Sequence, residues 1–306
     1  MHEPLAIQAY ESGLLTKKKK DALSRLYECT LCPQNCKINR LTNAIGLCNT
    51  GRRAFISAFQ PHFGEEAPLV GQGGSGTIFF TNCNLYCNFC QNFDISHQGA
   101  GREVNSYELA DFMLTLQDEG CQNINFVSPS HVIPQILEAL EIAIPKGLKL
   151  PLIFNSGGYD KVESLKLLEG VIDIWMPDFK FWDNEVAEVV CKAADYRHIA
   201  CDAIREMYRQ NGDLIITNGK AYKGLLVRHL VLPENKAGTK QVMHFIAHEI
   251  SENTYVNVMA QYYPCGQVDE ILWLQRRISR QEFASAVQFA IKAGLQRIEY
   301  QSDFLD

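Results

Sequence analysis

Cys83, Cys87 and Cys90 fall inside eight residues of the stretch TNCNLYCNFCQN, with Phe89 wedged before the last of them. Thiols crowded like this in a chain expected to sit in the cytosol point to metal or redox chemistry, not to disulfides. Zinc favours four donors closed into a tetrahedron, commonly drawn from two separated pairs. A single C-x3-C-x2-C loop offers three thiolates and no fourth nearby. A cubane of four irons normally takes four cysteines, so three leave one iron with an open position for an outside ligand. A structural zinc loop is the competing expectation.

A second set precedes the first. Cys29, Cys32, Cys36 and Cys48 stand in ECTLCPQNCKINRLTNAIGLCNTG, where proline, asparagine and glycine fill the gaps and predict a loop-rich knuckle. Four thiolates are enough to close a site. Zinc as a structural clip and a second iron–sulfur cluster as an electron relay both fit the spacing, and no ligand function is the third alternative. Cys121, Cys191, Cys201 and Cys265 stand alone and read as small buried hydrophobes.

Positioning such groups takes a scaffold, and the chain has the means for one. It has 306 residues, 46% hydrophobic and 21% charged, which is the composition of a globular protein with a sizeable core. A net charge of −6 argues against nucleic acid or an anionic membrane as a partner. Lys17 to Lys20 read as a solvated helix face. No apolar run reaches the ~20 residues of a membrane span. The first residues, MHEPLAIQAYESGLL, lack the layout of a secretion signal, so the cytosol is expected.

From Gly76 onward short apolar runs alternate with helical patterns. GTIFFTN, NINFVS, LPLIFNS, VIDIWMP, LLVRHLVLP and TYVNVMAQY predict strands, and RRAFISAFQ an edge strand before them. Asn105 with Glu108, and Ser279 with Glu282, have the spacing of capping boxes, and Gly294 marks a helix stop. The alternation predicts parallel strands in an α/β barrel, closed or partly closed, with ligands at the carboxyl ends of the strands. The expected division is an N-terminal extension over 1–75 and a barrel over 76–306. GQGGSG, Gly71 to Gly76, matches a dinucleotide fingerprint but precedes its strand instead of following one, so that reading is set aside.

The triplet lies just past the strand TIFF, and there it resembles the radical S-adenosylmethionine superfamily, whose signature is C-x3-C-x-aromatic-C. With the flanks GQGGSGTIFFTN and FCQN it resembles most the glycyl-radical activating branch, represented by the pyruvate formate-lyase activating enzymes, and relatives of these with an N-terminal LCPxxC segment. The likeness runs from Cys29 to about Tyr263. It implies a partial (β/α)6 barrel and a 4Fe-4S cluster on Cys83, Cys87 and Cys90. It further implies S-adenosylmethionine on the open iron, reductive cleavage to a 5′-deoxyadenosyl radical, and hydrogen abstraction from a glycine of a partner glycyl radical enzyme. A low-potential donor such as flavodoxin or ferredoxin would supply the electron. Another peptide, an RNA base or a small metabolite as substrate, and a non-catalytic iron–sulfur scaffold, are the alternatives.

Carried residue by residue, the resemblance sets Phe89 near the adenine. It matches Asp178 and Lys180 of WMPDFKF to a D-x-K motif that contacts the cofactor, against the alternative of a surface ion pair. It matches Arg228 of LLVRHLVLP to a cofactor arginine, against a structural salt bridge to a neighbouring strand. Asn155, Ser156 and Gly157 suit the ribose or methionyl end, although an ordinary turn would look the same. Two positions depart from the pattern. The superfamily's G-G-E, which receives the methionine amino group, is replaced by NFVSPSHV, leaving Ser128, Ser130 or His131 to accept from it. Gln261 or Tyr262 stands where a histidine of the archetype touches the cofactor. His97 follows the cysteine loop closely enough to be a further candidate.

Overall fold

The structure is a computed structural model describing residues 3–42 and 44–305. The strands are β1 (Ala54–His62), β2 (Ser75–Phe80), β3 (Arg102–Val104), β4 (Ile124–Val127), β5 (Leu152–Ser156), β6 (Ile174–Pro177), β7 (Ile215–Thr217), β8 (Lys220–Leu230), β9 (Tyr255–Met259) and β10 (Arg297–Tyr300). They form one sheet in the order β10-β9-β8-β6-β5-β4-β2-β1-β3, with β7 pairing beside β8. Every neighbour from β2 round to β10 is parallel. β1 and β3 extend the other edge antiparallel. This is the partial barrel read from the alternation. β10, formed by LQRIEYQ, continues it past the six expected strands. RRAFISAFQ is β1, and it lies inside the edge, because β3 covers it.

Helices close the outside for the reasons visible in their sequences. Both capping boxes form: Asn105 opens Ser106–Asp118 and Ser279 opens Arg280–Ala293, each with its Glu side chain returning to the cap. Gly294 ends the latter helix in the left-handed conformation that glycine tolerates. Phe126, Phe154 and Trp175 point outward into the helical layer, while Ile153, Ile174, Met176 and Leu226 form a separate apolar cluster. Strand alternation makes that second cluster the barrel interior, because Ile153 and Phe154 must face opposite sides. The N-terminal helices Leu5–Glu11 and Leu14–Ser24 pack into the outer layer, and Asp173 accepts the Leu5 amide at 2.9 Å. Lys17 and Lys20 are exposed, whereas Lys19 pairs with Glu141 and Lys18 bonds the Lys166 carbonyl.

The segment between β1 and β2 plugs the barrel from below. His62 pairs with Ser75, so the chain leaves and returns at the amino end of β2. In between, the short helix Ala67–Val70 sets Leu69 into the interior apolar cluster. The glycine run here serves close approach of two backbones: a Cβ on Gly73 would lie 1.8 Å from the Gly120 carbonyl oxygen. GQGGSG thus packs chain against chain, which agrees with setting the dinucleotide reading aside.

Candidate active site and cysteine centres

At the carboxyl ends of the strands lies a cavity of about 340 Å³. Cys83, Cys87 and Cys90 line it, with Phe89, Asn155, Ser156, Gly157, Asp178, Lys180, Arg228 and Gln261. Six strand ends therefore meet over one opening, as the fold rule requires.

The amides flanking the cysteines pin their loop. Asn82 takes a left-handed φ of 70° and donates through Nδ2 to Thr50 Oγ1 at 3.3 Å. Asn84 donates through Nδ2 to the Tyr159 carbonyl at 2.7 Å. The Asn88 amide bonds the Val190 carbonyl at 2.8 Å, and the Gln267 amide returns to the Asn88 carbonyl at 2.7 Å. Phe89 packs edge-on against Phe181 and Tyr262, its ring buried between two elements. Burial pushes the Cys83 thiol up to about 12 and raises Cys90. Cys87 is raised further by a hydrogen bond with Cys191, then by burial. Thiolates would persist here only where a metal holds them, and binding would release their protons.

Beside the cysteines, Lys180 pairs with Asp178 at 2.5 Å, both side chains about four-fifths buried. Burial opposes the Lys180 charge, but Asp178 and then the nearby cysteine sulfurs outweigh it, so the pKa rises. The ion pair is on the cavity wall and not on the surface.

Arg228 faces the interior because it shares parity with Leu226. It donates through Nε to Glu66 at 2.7 Å and through Nη2 to Glu65 at 2.6 Å. These side chains are 16%, 0% and 5% exposed. Asn257 also donates to Glu66, and Asn125 to Glu65. Burial lifts the pKa of Glu65, with Arg228 opposing it. The salt bridge weighed as the alternative for Arg228 exists, but to the plug and not to a neighbouring strand, and Arg228 also lines the cavity. Neither glutamate was singled out from the sequence. Their role follows from the plug's insertion, which no local pattern encodes.

The residues proposed in place of G-G-E divide. Ser128, with φ 57°, lines the cavity. Ser130 does not: its hydroxyl donates to Asp160 at 2.5 Å, and Ser156 donates to the other oxygen of the same buried carboxylate. His131 faces away, toward the second cysteine set. Tyr262 is buried with its hydroxyl on the Leu274 carbonyl at 2.6 Å, leaving Gln261 as the cavity residue of that pair. His97 stacks on Phe93 outside the cavity wall. Cys121, Cys191 and Cys201 are buried as expected, and Cys265 is half-buried, its thiol on the Phe89 carbonyl.

Cys29, Cys32, Cys36 and Cys48 line one small cavity of about 10 Å³, together with Arg40 and His131. Among the described residues no three His, Cys, Asp or Glu side chains converge closely enough to hold a single metal ion. Thiolates that each bind a different iron of a cluster need not meet at one point, so the three-cysteine wall suits a cluster better than one ion.

A scan against protein-family models finds no match. Among curated proteins, the uncharacterized protein MJ0674 of Methanocaldococcus jannaschii is 31% identical over 300 residues, covering 95% of this chain and 82% of the archaeal one. The chain belongs to the family of MJ0674. Among solved structures, a domain of pyruvate-formate lyase-activating enzyme from Bacteroides vulgatus aligns with a TM-score of 0.36 at 11% identity, covering 64% of this chain and 91% of that one. HydG, a maturase of the FeFe hydrogenase, aligns with a TM-score of 0.48 at 14% identity, covering 71% of this chain and 49% of that one. No helix among the described residues is long and apolar enough to cross a membrane.

Proposed function

We propose that this family member is a radical S-adenosylmethionine enzyme holding a 4Fe-4S cluster on Cys83, Cys87 and Cys90. The observation that carries the reading is a three-thiol loop at a strand end, opening onto a cavity that also holds a buried lysine–carboxylate pair. When bound, the reduced cluster would supply the electron that cleaves the sulfonium and yields a carbon-centred radical able to take a hydrogen atom.

The remaining work falls to the chain. Lys180 is placed to neutralise a methionyl carboxylate, with Asp178 holding its ammonium in position. Glu65, an acidic group on the wall, is the candidate acceptor for the amino group that G-G-E would have met. Phe89 offers an apolar face for the adenine, and Asn155 and Gln261 offer polar groups to the ribose. A second metal centre on the N-terminal quartet is taken up below. We read the substrate as a backbone glycine of a partner glycyl radical enzyme, with flavodoxin or ferredoxin as donor in the cytoplasm, because the cysteine loop and its flanks resemble that branch.

The test is oxygen-free reconstitution, reduction by dithionite and assay for 5′-deoxyadenosine. Release that depends on Cys87 supports the reading. A full cluster with no release makes the chain a scaffold. Electron paramagnetic resonance of a candidate partner then decides the substrate: a glycyl radical supports activation, and its absence alongside active cleavage points to another substrate.

A further inference from the structure

Arg40 is 1% exposed, and among the described residues no carboxylate pairs with it. Its guanidinium reaches the Gly51 carbonyl at 3.0 Å, the His131 carbonyl at 2.8 Å and the Cys29 sulfur at 3.8 Å, and its Nη2 has no partner. A buried guanidinium beside neutral thiols would be an uncompensated charge, costly by several kcal/mol. The same cavity is lined by His131, 1% exposed. Its Nε2 lies 3.2 Å from the Thr81 carbonyl and must donate there, which leaves Nδ1 a bare lone pair, also without a partner. Of these two groups, the unmet Arg40 donor is the one that calls for negative charge among the four cysteines.

We propose that Cys29, Cys32, Cys36 and Cys48 hold a second 4Fe-4S cluster, dianionic with its four thiolates, whose charge Arg40 partly balances. A single zinc ion would need the thiolates to meet at one point, which no three of the described side chains do, whereas each iron of a cluster takes one thiolate. The Arg40 donors then have thiolate sulfur to meet. The centre also acts on its neighbour, because its loops grip the three-cysteine loop directly. Gln34 donates to the Asn84 carbonyl at 3.0 Å, the Asn49 carbonyl and Thr50 hydroxyl accept from Asn82, and Tyr86 donates to the Leu47 carbonyl. The quartet thus fixes the shape of the loop that carries the triplet.

The decisive experiment removes the triplet first, so that its outcome is independent of the function proposed above. In the protein carrying Cys83→Ser, Cys87→Ser and Cys90→Ser together, with folding verified by circular dichroism, metal is counted per chain and its first shell read by X-ray absorption. About four irons with matching sulfide in a sulfur-only shell are expected, and one zinc per chain in their place overturns the cluster. Folded protein without stoichiometric metal, or with metal bound through nitrogen and oxygen only, overturns the proposal. In the same background Arg40→Gln should release its metal to a chelator about tenfold faster, and an unchanged rate would refute the role given to Arg40.

Discussion

Two buried arginines stand near two sets of cysteines, and the company each keeps is opposite. Arg228 sits under the triplet with Glu65 and Glu66 both within salt-bridge distance. Arg40 sits against the quartet with carbonyls and a sulfur and, among the described residues, no carboxylate. The first charge is balanced by the protein itself and can serve as a rigid floor whether or not a ligand is present. The second is left for something anionic to balance. The cavities differ in size: about 340 Å³ over the triplet and about 10 Å³ at the quartet. Three thiols beside a roomy cavity suit a centre that must accept an outside ligand; four would leave a centre no open position for one.

The largest effect expected is at the triplet. Cys87→Ala would remove one of the three ligands of the proposed cluster, which already lacks a fourth. Release of 5′-deoxyadenosine should fall to background, and the iron content of quartet-intact protein should drop by about four per chain if the triplet holds a cubane. Retained cleavage would erase the contrast drawn above, because the triplet would then be no more special than the lone cysteines.

Next in size is the floor. Arg228→Met leaves two carboxylates, 0% and 5% exposed, without their cation. Breaking a buried pair from one side costs about 3–5 kcal/mol, read as a loss in denaturation midpoint. Adding Glu65→Gln and Glu66→Gln should restore a good part of it. If Arg228→Met were nearly neutral, Arg228 would not differ from Arg40 in the way argued here.

How much of this was legible in the sequence follows from the range of each signal. The capping boxes at Asn105 and Ser279 and the stop at Gly294 are set by residues three or four apart, and they form as read. The triplet's place at a strand end needs only the adjacent run TIFF. Arg228 could be flagged because a guanidinium in an apolar strand must find a partner, yet Glu65 and Glu66 lie about 160 residues away and arrive on a plug whose insertion has no periodic signature. Ser130 and His131 looked available because a loop sequence carries no direction; Asp160 claims one and the Thr81 carbonyl the other. Cys191 read as a plain core residue, and it becomes a neighbour of Cys87 through the packing of the helix Asn184–Cys191.

The ion pair on the cavity wall gives a smaller, more specific effect. Lys180→Met should weaken S-adenosylmethionine binding about 10- to 100-fold, the range for losing one hydrogen bond to a charged group. Cluster iron should be unchanged, since Lys180 binds no metal in this account. Equal loss of iron and of affinity would mean that the pair shapes the cysteine loop and does not bind ligand, which would move it from the open centre's function to its framework.

The smallest effect tests whether the two centres are mechanically joined. Gln34 lies between Cys32 and Cys36, and its amide donates to the Asn84 carbonyl, next to Cys83. Gln34→Ala deletes one half-buried tie of about 1 kcal/mol while leaving all seven thiols in place. If the quartet steadies the triplet, the change should appear as faster loss of the triplet's iron to a chelator, a fewfold in rate, with the quartet's own metal unaffected. A uniform drop in melting temperature with both metals equally retained would mean that the tie contributes to stability alone. The two cysteine sets would then share a core without one governing the other.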